Sequence, residues 1–196
     1  LYGARRQRAE GTGAAYLPGV PIWQGGPLAE RTLLLLSEQG FGDTLQFVRF
    51  ARVLAGRGAR VLVRAHPRIA HLLTRVPGVS RVVGRSETPP GVDLQVCMMD
   101  VPGLLQVDES DLSTSPYLSA APALAARWKP RLQEPGFNVG VGWQGNPAYR
   151  VDHLRSPPLA AFRPVAAVAG ARLFCLQKQH GRDQIATAAL PLLDLA

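Results

Sequence analysis

Leu33-Leu34-Leu35-Leu36-Ser37-Glu38-Gln39-Gly40-Phe41-Gly42-Asp43-Thr44-Leu45-Gln46 reads as strand, glycine turn and helix start. Four consecutive leucines bounded by turn residues fit a strand buried on both faces, as in a parallel sheet packed between helices. Gly40 and Gly42 permit a tight turn. Asp43 then stands at the expected N-cap, with Gln46 three residues later at capping-box spacing. The turn falls at the carboxyl end of the strand, the side on which open α/β sheets bind ligands.

Two roles are open to Asp43. It is a helix cap, or it is a carboxylate displayed at the mouth of a parallel sheet where it takes a proton from a hydroxyl. The pattern does not choose between them. The turn is not a dinucleotide fingerprint, because Asp43-Thr44-Leu45 follows Gly40-Phe41-Gly42 and the third glycine is missing.

Outward from this turn the chain continues in the same rhythm. Leu45, Phe47, Val48, Ala51, Leu54 and Ala55 fall at helical spacing over residues 44 to 56, stopped by Gly56 and Gly58. Arg60 to Arg64 reads as a second strand, and a short helix opens at Pro67. Val79 to Val83 reads as a third strand and Val92 to Met99 as a fourth. Strands alternating with helices at this spacing indicate βαβ units and a parallel sheet. Residues 1 to 30 read as an irregular lead-in anchored by Trp23. Together, residues 31 to 118 form a first α/β unit, with 100 to 118 irregular.

Residues 119 to 136 read as a linker whose helix runs from Ala120 to Arg131. The strand-first pattern then restarts. Phe137 to Trp143 is a strand, Gln144 to Pro147 a turn, and 148 to 156 a polar loop. Leu159 to Val168 is a helix, Arg172 to Leu176 a strand, and Leu192 to Leu195 the next strand. The expected fold class is therefore α/β, with one Rossmann-like unit and the beginning of a second over residues 137 to 196.

Composition narrows the function classes. Hydrophobic residues make up 46% of the chain and charged ones 18%, a globular balance. The net charge of +8 invites a nucleic-acid reading. Yet all but two of the 22 basic residues are arginine, and outside Arg5-Arg6-Arg8 they are scattered, without a stripe interleaved with aromatics. Nucleic acid is set aside. Cys97 and Cys175 lie far apart in apolar segments without metal or redox spacing, so buried, reduced thiols are expected and no metal site. His66 and His71 read as surface or packing residues. No run is long enough to span a membrane and the basic start lacks an apolar signal core, so a cytoplasmic location is expected. Opening on Leu1 and ending just after a strand-like run, the sequence reads as a partial chain.

The segments also carry a resemblance. Glu38 to Phe47 resembles the EQGLGDTxQF turn of bacterial glycosyltransferases that follow tetratricopeptide repeats. That family is similar to the ADP-heptose:lipopolysaccharide heptosyltransferases and, more distantly, to O-linked N-acetylglucosamine transferases. Val141-Gly142-Trp143-Gln144-Gly145-Asn146-Pro147 is similar to its VGLxWxGNP stretch, Arg155-Ser156-Pro157-Pro158-Leu159 to its RSxPL, and Phe174-Cys175-Leu176-Gln177-Lys178 to its SLQK. The four motifs stand in the family's order.

The resemblance implies a GT-B fold, in which an N-terminal Rossmann-like domain holds the acceptor and a C-terminal one the nucleotide-sugar donor. It implies an inverting, metal-independent hexosyl or heptosyl transfer to a glycan or protein hydroxyl, with no cofactor beyond the nucleotide sugar. Asp43 takes the place of the base. Gln39, Gly40, Gly42 and Thr44 fall on the acceptor-side loop; Asn146, Arg155, Ser156, Gln177 and Lys178 fall on the donor side, where Arg155 and Lys178 offer charge to phosphate. The sequence departs from the pattern at His153, where relatives often carry arginine. It also lacks the family's aspartate-threonine-alanine donor motif, which would follow Ala196, and the upstream repeats. His180, beside Gly181, is open to a donor role. The residues equally allow a non-catalytic nucleotide-binding module or a protein-interaction domain. As a partial chain it is expected to be inactive alone.

Overall fold

A computed structural model of the chain describes residues 16–38, 40–108 and 115–195. The chain divides into two compact units, the first ending at Ala121 and the second beginning at Pro122. Each is mixed α/β with a parallel sheet, compatible with a Rossmann-like arrangement.

In the first unit the leucine run forms β1 (Thr32–Leu36) at the centre of a four-stranded sheet. It lies between β2 (Arg60–Arg64) and β4 (Leu94–Cys97), with β3 (Val79–Val83) outside β2, and all pairings are parallel. Alternation divides the run between two cores. Leu33 and Leu35 join Val48, Leu54, Val63 and Leu73 on one face, while Leu34 and Leu36 join Leu62, Val83 and Cys97 on the other. A strand without polar alternation is explained by burial on both sides.

The two faces are covered differently. The helical residues Val48, Leu54, Ile69, Leu73, Val101 and Leu105 all lie in the first core. The second is closed by lead-in residues Tyr16, Leu17 and Val20, with no helix among the described residues contributing. Among the described residues, helices thus cover one face of the sheet and an irregular strap the other. Gln95 of β4 holds this strap: its Oε1 accepts from Leu17 N–H at 2.7 Å and its Nε2 donates to the carbonyls of Leu17 and Val20. Backbone bonds from Trp23 to Gln95 and from Gln95 to Pro21 extend the pairing beyond β4. Trp23, 2% exposed, anchors the lead-in, as its apolar bulk demands.

The helical stretch after β1 starts earlier than its apolar spacing suggests. It comprises α1 (Phe41–Phe47), a 3₁₀ turn (Val48–Phe50) and α2 (Ala51–Gly56). After β2, α3 (Pro67–Leu73) is capped by His66, whose Nδ1 accepts from Arg68 N–H at 3.2 Å. β4 is shorter than its apolar run: Met98–Asp100 turns as 3₁₀ and leads into α4 (Val101–Leu105). Hydrophobicity persists there because Met98, Val101 and Leu105 still face the core. The irregular stretch expected from residue 100 therefore begins with a helix.

The second unit opens with α5 (Pro122–Trp128) and a 3₁₀ turn (Lys129–Leu132), where Pro130 ends α-helical bonding before the expected Arg131. Its sheet has the order β5 (Phe137–Val141), β6 (Ala171–Cys175), β7 (Leu192–Asp194), again all parallel. The single helix expected over 159 to 168 is a 3₁₀ turn (Leu159–Phe162) followed by α6 (Arg163–Ala166), because Pro164 lacks the N–H that would continue one ladder. A 3₁₀ turn (Arg182–Gln184) and α7 (Ile185–Ala188) lead into β7. Val141, Trp143, Leu159, Leu173, Cys175 and Ala188 form the core of this unit.

Candidate functional site

In the first unit the turn after β1 reaches solvent at the carboxyl end of the sheet. Gly40 is the N-cap of α1, and Asp43 is the third residue of the helix instead of its cap. The half-buried Asp43 carboxylate reaches back so that Oδ2 accepts from Gly40 N–H at 3.1 Å. This is one half of a capping box; glycine has no side chain to return the other half. Thr44 is 3% exposed and its hydroxyl donates to Gly40 O at 3.3 Å, so it is spent within the turn. Gly40 has φ −66°, open to any residue, and a Cβ at Gly42 would meet nothing within 4 Å. The glycines are thus not needed for the turn's conformation; what they leave is uncovered backbone beside the carboxylate. Gln39 lies outside the described residues.

Beside this turn, Tyr16 Oη and Cys97 Sγ stand 3.0 Å apart. Burial, reinforced by the Glu38 and Asp100 carboxylates, pushes the Cys97 thiol up to about 12, and burial raises the Tyr16 phenol as well. Both groups are held neutral near pH 7. His66 packs its ring 5.0 Å from Phe41, and His71 lies in the last turn of α3.

In the second unit two loops leave adjacent strand ends. Gln177, after β6, is the clasp between them. Its Oε1 accepts from the N–H groups of Trp143 and Gln144 at 3.0 and 3.1 Å, and its Nε2 donates to the carbonyls of Gln144 and His180 at 2.9 and 2.8 Å. All four side-chain bonding positions are used by backbone, so Gln177 positions the loops and has none left for a ligand. Ser156 Oγ accepts from Gly145 N–H at 2.9 Å, and Asn146 Oδ1 from Ala148 N–H at 3.0 Å. These two also shape the loop. Arg155 is exposed, with its guanidinium 5.6 Å from the Tyr149 ring centre. Lys178 is exposed at the rim of a mainly apolar hollow of about 390 Å³, lined also by Trp128, Leu132, Leu176 and Leu195.

A larger open cleft, of about 580 Å³, lies between the two loops, walled by Gln144, Pro147, His180, Gly181, Arg182 and Gln184 among others. The structure thus brings together neighbours of the donor-side residues, while Asn146, Arg155, Ser156, Gln177 and Lys178 do not line this cleft. His180 does. Gly181 is required here: with φ +83°, a Cβ would fall 2.7 Å from that of Gln144.

Gln144 falls in the sequence only as part of a turn and motif, and Asp152 and Arg182 carry no mark of a site in the sequence. Arg182 holds Asp194 of β7 through both its terminal nitrogens, and also donates to Gln177 O at 2.8 Å. The hydrogen bond to Asp194 raises its already high pKa. The available signal was spacing from the strand ends; nothing in local pattern marks a pairing twelve residues away. Among the described residues, no three His, Cys, Asp or Glu side chains gather as metal ligands, and no helix is long and apolar enough to cross a membrane.

Comparisons with protein-family models, curated proteins and solved structures find no match to this chain.

Proposed function

We propose that the chain belongs to a glycosyltransferase of GT-B type that moves a sugar from a nucleotide-sugar donor to an acceptor hydroxyl with inversion and without a metal. The observation that carries this reading is Asp43: a half-buried carboxylate in the first turn of the helix after the central strand, at the carboxyl end of a parallel sheet, preceded by Gly40 and Gly42. The four motifs similar to the repeat-associated glycosyltransferases support it from the sequence.

In this reading the first unit holds the acceptor and the second the donor. Asp43 takes the acceptor's O–H proton as that oxygen attacks the anomeric carbon. The new C–O bond forms as the bond from the anomeric carbon to the diphosphate breaks, and the nucleoside diphosphate leaves with the electron pair. Arg155 and Lys178, both exposed, supply positive charge to the leaving phosphates. A cytoplasmic setting, with Cys97 and Cys175 as free thiols, is part of the same proposal.

A specific observation favours a second reading. The Gly40–Asp43 hydrogen bond already gives the carboxylate a structural use, as a non-catalytic binding or interaction module would require. Turnover separates the two. Release of nucleoside diphosphate from a nucleotide sugar, by the protein that carries this chain, is expected and is expected to collapse in Asp43→Asn. Equal release by both proteins overturns the catalytic role.

A further inference from the structure

The loop leaving β5 contains a carboxylate that brings the fold little return. Asp152 is 5% exposed, and its Oδ1 is shielded from solvent with no hydrogen-bond partner. Leaving a buried carboxylate oxygen unpaired costs stability, and such groups in native structures call for an explanation. Room for it is made by Gly145, where a Cβ would stand 2.3 Å from that oxygen. The other oxygen, Oδ2, accepts from Gln144 Nε2 at 2.7 Å.

This contact fixes more than a distance. A carboxylate only accepts, so the Gln144 amide must turn its NH₂ toward Asp152 and its Oε1 away. The backbone of the same residue is held on both sides by Gln177, through Gln144 N–H and Gln144 O. Gln144 is therefore clamped at both ends, and it lines the 580 Å³ cleft. The charges on that wall do not suit an anion alone: Arg182 is engaged by Asp194, and Asp183 adds a negative group.

We infer that Asp152 is a positioning residue, which sets Gln144 with its Oε1 as a fixed acceptor for an N–H or O–H donor on a nucleotide or nucleotide sugar in the cleft. The inference rests on the second unit being the donor side. The donating group belongs to the uncharged part of the ligand, the base edge or a sugar hydroxyl, while phosphate is met elsewhere.

Calorimetric titration of the protein that carries this chain with UDP, GDP and ADP, and with UDP-glucose, GDP-mannose and ADP-glucose, tests it. Asp152→Ala is expected to weaken the best-binding probe about tenfold, the effect of one lost hydrogen bond. Asp152→Asn keeps an oxygen for Gln144 Nε2 and is expected to restore affinity. Gln144→Ala is expected to match Asp152→Ala, and adding Asp152→Ala to it to cost nothing more. A loss already seen with the nucleoside diphosphate assigns the donor to the nucleoside, its base or ribose; a loss seen only with the nucleotide sugar assigns it to the transferred sugar. Should Asp152→Ala fail to fold in a thermal melt, Asp152→Asn and Gln144→Ala still give the comparison: parental affinity in the first with a tenfold loss in the second supports the inference. Unchanged affinity in Gln144→Ala, or an equal further loss on adding Asp152→Ala, overturns the positioning role and leaves the donor-side reading standing. No binding of any of the six probes by the parent overturns both.

Discussion

Gly40 donates its backbone N–H to Asp43 Oδ2 across 3.1 Å, so the carboxylate reaches back over the turn from one helical turn's depth. Asparagine can accept the same bond. Asp43→Asn is therefore expected to change stability by no more than roughly 0.5 kcal/mol while lowering transfer roughly 10²- to 10⁴-fold. Thermal melts paired with nucleoside diphosphate release measure both.

Gln177 gives a prediction of opposite kind. Its four bonds join the loops after β5 and β6, so Gln177→Leu is expected to destabilise the second unit by roughly 1–3 kcal/mol, since part-buried backbone groups of Trp143 and Gln144 lose their partners. Amide exchange at Trp143 and Gln144 would accelerate while that of Leu33 to Leu36 stays slow. Unaltered protection at Trp143 would show that the clasp is dispensable.

Lys178 and Arg155 form no ion pair among the described residues, which leaves their charge available. Replacing either with alanine is expected to weaken nucleoside diphosphate binding by roughly 1–3 kcal/mol if it meets phosphate. Parental affinity in calorimetry would assign that side chain to the solvated surface.

Cys97 predicts an alkaline limit to stability. Its folded pKa, near 12, stands above the ordinary thiol value, so the folded state holds its proton after the unfolded chain has lost it. The stabilising effect is complete below about pH 9 and is lost between there and about pH 12, at about 1.4 kcal/mol per pH unit for one proton. Urea unfolding from pH 8 to 10.5 is expected to show this fall, and Cys97→Ala to flatten it. Equal slopes in both proteins would remove the thiol as the cause.

Much of the architecture was legible because it depends on local signals. The Leu33–Leu36 run, the Pro67 start and the β3 boundaries follow from burial and backbone chemistry that the sequence states directly. Met98 and Met99 were less readable. Apolar side chains continue through them because the core continues, although the strand does not. Asp43 stands at the third helical position instead of the cap because the helix begins at Phe41, ahead of the apolar period. In the second unit the limits were longer in range. That Gln177 is consumed by Trp143, Gln144 and His180, or that Asp152 lies against Gly145, depends on pairings between loops. Residue type alone suggests polar surface at Gln144, Asp152, Gln177 and His180.

The strap that Gln95 holds across β4 makes the lead-in a structural member of the first unit. A shortened version beginning at Thr32 would strip the cover from Leu34, Leu36 and Leu62 and bare the outer rim of β4 at once. Such a protein would offer neighbouring molecules both an oily face and an unpaired Gln95 backbone at the sheet edge, the combination that drives strands of separate chains together. Residues 16 to 23 thus act as insulation, and a boundary drawn at the first strand would turn a self-contained sheet into a template for aggregation.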